Sequence, residues 1–88
     1  MTVSDFIEIV EFGVKSANLC SEWEHGNRSQ LSAVKVSYLS GKINIMKQEL
    51  KSLALSNDSL LDQSAAIDLI NLLESIKVRV QAIATQYL

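Results

Sequence analysis

The chain has no proline, and its three glycines stand far apart at 13, 26 and 41. With so few helix breakers, little in the sequence prevents long helices. The spacing of the glycines also excludes a phosphate-cradling loop, which needs several close together. There is one cysteine, Cys20, and one histidine, His25. A lone cysteine cannot close an internal disulfide, and the pair cannot supply a Cys/His cluster with zinc spacing. Basic excess is missing too, with ten acids against eight bases and a formal net charge of -2. That balance lacks the electrostatic footprint of a nucleic-acid binder. No apolar run approaches the roughly 18–20 residues of a membrane span. Met1-Thr2-Val3-Ser4-Asp5 has no basic start of the kind that opens a signal peptide. A reducing, cytoplasmic setting is therefore expected, and the two Asn-x-Ser sequons at 27 and 57 are read as chance.

What is present is apolar content: 48% of 88 residues, normal for a globular chain and too high for a disordered one. A single helical domain over 1–88 is expected, and it divides into three segments. The first runs from about Ser4 to Glu24. Thr2 and Ser4 are candidate N-caps, and Thr2 with Asp5 has the spacing of a capping box. Val3, Phe6, Val10, Ala17 and Cys20 share a face, with Ile7 and Val14 beside them, and this face is read as core. His25-Gly26-Asn27 reads as the helix stop.

The second segment spans about Ser29 to Leu55. Val36, Leu39, Ile43, Met46, Leu50 and Leu53 form a heptad seam of the coiled-coil kind. A hairpin over 34–45 competes, because Val34–Tyr38 and Ile43–Ile45 alternate around Ser40-Gly41. The unbroken seam favours helix, although Gly41 costs it about 1 kcal/mol relative to alanine. The third segment runs from about Ser59 to Tyr87. Ser59 and Asp62 make a second capping-box candidate, and Ala66, Leu69, Leu73, Ile76, Val80, Ile83 and Tyr87 form the cleanest heptad. Short loops between long helices make neighbours antiparallel. The expected fold is all-α, an up-down-up bundle of three long helices completed by oligomerisation or a partner. The minor alternative is α-β-β-α with the hairpin at 34–45.

No acid, base, nucleophile or metal site stands out, so the chain reads as no enzyme and as needing no cofactor. Glu22, Glu24 and His25 read as a solvated helix end. Cys20 reads as a small core residue. The feature that points to function is apolar surplus away from the core faces. On a wheel of 100° per residue, Phe12, Leu19 and Trp23 cluster about 120–160° from the face read as core. Leu31, Val34, Tyr38 and Ile45 form a second seam on the next helix. Soluble monomers do not usually leave extensive apolar patches open, and aromatic residues are favoured interface anchors. Phe12, Leu19, Trp23, Tyr38 and Ile45 are therefore the candidate partner-binding residues. The expected function is a protein-protein interaction module, acting as adaptor, chaperone-like subunit, inhibitor or self-assembling component. Its partner would be another protein or a second copy. The alternative is a small DNA-binding regulator using Lys35, Lys42, Lys47 and Lys51. Nucleic acid is disfavoured by the charge balance, and a membrane surface by the acidic polar face of the first segment.

Overall fold

In a computed structural model, residues 2–55 and 63–88 are described, and they form three α-helices. α1 is Val3–Glu24, α2 is Ala33–Ala54 and α3 is Gln63–Tyr87. The described part measures 43 × 18 × 17 Å, an elongated bundle set by helix length.

Local chemistry sets the helix ends. Thr2 is extended and accepts from the Asp5 amide, while the Asp5 carboxylate accepts from the Thr2 amide, completing the capping box. The hydrogen bond from the Thr2 amide holds the Asp5 carboxyl below its usual range. α1 stops in a Schellman motif: the Asn27 amide donates to the Glu22 carbonyl and the Gly26 amide to that of Trp23. Gly26 has φ of +105°, a conformation that side chains with a Cβ rarely adopt. α2 begins four residues later than the sequence suggests. Ser29 turns inward to Asn27, donating its hydroxyl to the Asn27 side-chain oxygen, and Ser32 becomes the N-cap by accepting from the Lys35 amide. The expected capping box of Ser59 and Asp62 lies outside the described residues.

The hairpin alternative is overturned, because α2 runs through 34–45 without a break. Leu39, Ile43 and Leu50 are buried, with Val36, Met46 and Leu53 packed beside them. That single apolar seam stabilises helix across Gly41 against its local cost. α3 is as its heptad implies, with Ala66, Leu69, Leu73, Ile76, Val80 and Ile83 buried. Tyr87 instead lies near the surface, its ring stacked against the Arg28 guanidinium 3.6 Å away.

Contacts between helices give the directions. Lys47 pairs with Glu74 and Lys77 donates to Asn44, so rising α3 numbers meet falling α2 numbers. Gly13 lies beside Leu72 and Leu73, and Glu24 pairs with Arg79, so α1 runs parallel to α3. The order is up-down-up. α3 is the hub: α1 and α2 each pack along it and touch one another only sparsely.

The face of α1 differs from the reading above. Its buried residues are Ile9, Gly13, Ser16, Cys20 and Trp23. Val3, Ile7, Val10 and Val14, expected in the core, are exposed. The buried face carries two small residues. Gly13 lies against Leu72 and Leu73, where an added Cβ would sit at an ordinary packing distance of 3.9 Å, and Ser16 is buried one turn on. Hydropathy weights Gly13 and Ser16 as neutral, and a wheel drawn from it turns the helix toward the valines.

One ion pair ties this interface. The Arg79 guanidinium grips Glu24 through two hydrogen bonds, of 2.6 and 3.0 Å, and donates a third to the Ser21 hydroxyl at 3.1 Å. The Arg79 hydrogen bond holds the Glu24 carboxyl below its usual range. A carboxyl depressed on folding stabilises the fold above its unfolded pKa, about 4.3, and loses that stabilisation as pH falls through the folded value. The pair is over a third exposed on the Glu24 side, so screening keeps its worth at about 1 kcal/mol or less. Glu24→Gln is expected to lower the melting temperature by a few degrees at pH 7. That gap should close as pH falls through the depressed Glu24 pKa, as read by thermal melts across pH.

Candidate functional site

Because α1 and α2 both lean on α3, an open groove is left between them. It consists of two hollows, of about 960 and 430 Å³, that share Glu8, Tyr38, Lys42 and Met46 as lining. Ile9, Phe12 and Leu19 line it from α1, and Leu39, Gly41, Ile45 and Met46 from α2. From Asp5 to Leu19 the α1 wall is about 21 Å long at 1.5 Å per residue. The helical phase explains the lining. On α1, Phe12 and Leu19 sit to one side of the buried face, and on α2, Tyr38, Lys42, Ile45 and Glu49 sit to one side of the heptad seam.

The five candidate residues do not stay together. Phe12, Leu19, Tyr38 and Ile45 all line the groove. Tyr38 and Ile45 are 51% and 62% exposed, while Phe12 and Leu19 are half-buried against the core. Trp23 is a correction: its side chain is 0% exposed, so it belongs to the core and not to a stripe outside it. It sits on the buried face with Cys20, and the register of α1 on α3 places it level with Val80 and Ile83. Its indole Nε1 has no hydrogen-bond partner among the described residues. From the second seam, Leu31 packs against the core and Val34 is exposed.

Met46, Gly41 and Lys42 were missed as groove residues. Met46 belongs to the core seam by spacing, and only the splay of α1 from α2 opens one side of it. Lys42 is the central polar group. Its ammonium donates to the Tyr38 hydroxyl at 3.2 Å and lies 5.0 Å from the Phe12 ring centroid, spanning both walls.

Other candidate chemistry has plain placements. Cys20 is buried, and burial pushes its thiol pKa up, which suppresses the nucleophilic thiolate. The His25 Nδ1 is 2.6 Å from the Ser21 carbonyl and serves the helix end. Among the described residues, no group of three His, Cys, Asp or Glu side chains is placed to hold a metal ion. Nor is any described helix long and apolar enough to cross a membrane. The lysines of α2 diverge: Lys47 turns to Glu74 on α3, while Lys35 and Lys42 line the groove. Comparison with protein-family models, with curated proteins and with solved structures returns no match to this chain.

Proposed function

We propose that this protein is a non-enzymatic interaction module that receives an α-helix of another protein in the groove between α1 and α2. The observation that carries this is the pairing of an open, elongated groove with apolar and aromatic side chains on its walls. A helix with side chains is about 10–12 Å across, and an amphipathic one seeks such a groove for its apolar face. The occupant would stand as the fourth helix that the three-helix frame lacks. Tyr38 and Ile45, exposed in the free chain, would be buried by it, and Phe12 and Met46 would form the floor. Tyrosine is among the residues that dominate binding energy when such a surface is covered.

Ile45→Arg and Tyr38→Ala separate this role from a structural one. Both side chains are largely exposed, so each change should shift unfolding free energy by no more than about 0.5 kcal/mol. Loss of a central apolar contact typically costs 2 kcal/mol or more of binding, roughly a 30-fold weakening. The measurement is capture from the native host by wild type and by Ile45→Arg, with hydrogen exchange on the recovered complex. Slowed exchange in α1 and α2 along the groove, lost together with capture in the variant, supports the reading. Undiminished capture by Ile45→Arg would sink it.

A further inference from the structure

The groove is charged in a definite order along its length. The contact of Lys42 with the Phe12 ring sets those two residues level. α2 runs against α1, so Glu49 then lies level with Asp5, and Lys35 level with Leu19. Of the described charged residues lining the groove, Asp5, Glu49, Glu8 and Glu11 stand at one end, and Lys42, Lys15 and Lys35 at the other. The change of sign falls once, between the levels of Glu11 and Phe12. An ordinary solvated face would interleave its charges, and here both walls contribute to each end.

We propose that the occupant is a single amphipathic helix of a partner protein, about 14 residues long over the contact, with its own charge divided along its length. Its basic half lies over Asp5, Glu8 and Glu49, and its acidic half over Lys15, Lys35 and Lys42. This rests on the groove being a helix site. Complementary charge of this kind fixes the register and direction of a helix that an apolar trough alone would admit either way round. A second copy of this chain is the poorer occupant. Two concave faces leave space between them, whereas the convex face of one helix can fill a single trough.

The test uses two synthetic helical peptides of about 16 residues with the same Leu/Ile stripe and the same composition. One has lysines in one half and glutamates in the other, and its isomer has them interleaved. The divided peptide is expected to bind at least tenfold tighter at low salt, with the advantage shrinking toward 0.5 M salt as screening shortens to about 4 Å. Glu8→Lys with Glu49→Lys should erase the preference, because the groove then carries mostly one sign. A nitroxide on the basic end of the divided peptide should broaden amide resonances near Glu8 and Glu49, and one on the acidic end those near Lys35. Equal binding of both isomers, each abolished by Ile45→Arg, overturns the charge order and leaves the groove reading standing. Binding of neither peptide, or binding indifferent to Ile45→Arg, overturns both. Self-association that Ile45→Arg abolishes and neither peptide displaces makes a second copy the occupant and overturns the proposal.

Discussion

Trp23→Ala is expected to lower the unfolding free energy by about 3–5 kcal/mol, the usual cost of deleting a large buried aromatic side chain. Small domains hold about 5–15 kcal/mol in total, so this single change approaches the margin of the fold. The reason is position. Trp23 is among the largest fully buried side chains, and it belongs to the same core cluster as Val80 and Ile83 of α3. Trp23→Phe is the informative companion. It removes an indole N–H that has no partner among the described residues, and an unsatisfied buried donor costs about 1–3 kcal/mol. Phenylalanine should therefore recover more stability than its smaller volume suggests. Urea unfolding by circular dichroism gives both values. The wild type adds a check, since its sole tryptophan should emit as a buried indole and shift to longer wavelength on unfolding. A native emission already typical of water would contradict its placement.

A second large effect is expected at the centre of α3. Leu73→Ala should cost about 2–5 kcal/mol, because Leu73 is fully buried at the middle of the hub helix. Its side chain also lies beside Gly13 of α1. Ile67→Ala on the outer side of the same helix is the control. Ile67 is half exposed, and its loss should stay within about 0.5 kcal/mol. Equal effects at the two positions, measured in one denaturant series, would mean that α3 is rotated from the orientation described.

The contrast between helices shows which parts of this fold are legible in sequence. α2 and α3 carry their cores as large aliphatic side chains in heptad steps. Burial there is driven by apolar area, and area is what spacing and hydropathy record. α1 carries its core partly as Gly13 and Ser16, which add little apolar area. Which face of a helix meets its neighbour is a property of the pair, and α1 read alone points its valines inward. The same error displaced Trp23 from the core to a surface stripe. Four of the five candidate binding residues nevertheless reach one groove, because surplus apolar side chains flanking a core seam must face either a neighbour or an opening.

The apolar stripe that remains on α1, formed by Val3, Ile7, Val10 and Val14, is the opposite outcome of the same rotation. Turning the helix toward α3 on its small residues leaves its β-branched ones outside. Leu72, beside Gly13, is exposed next to it.

By itself the sequence determined that the protein is helical, that α2 and α3 meet through long heptad seams, and that α1 is closed by Thr2, Asp5 and Gly26. These are consequences of residues within a few turns of one another, through caps, spacing and the absence of proline. Only the tertiary structure decided that α3 is the hub, that Trp23 is core, and that α1 and α2 stand apart around a groove with acids at one end and lysines at the other. Those features depend on the angle between helices distant in the chain. That arrangement depends on which face α1 buries, the one that carries Ile9, Gly13, Ser16, Cys20 and Trp23.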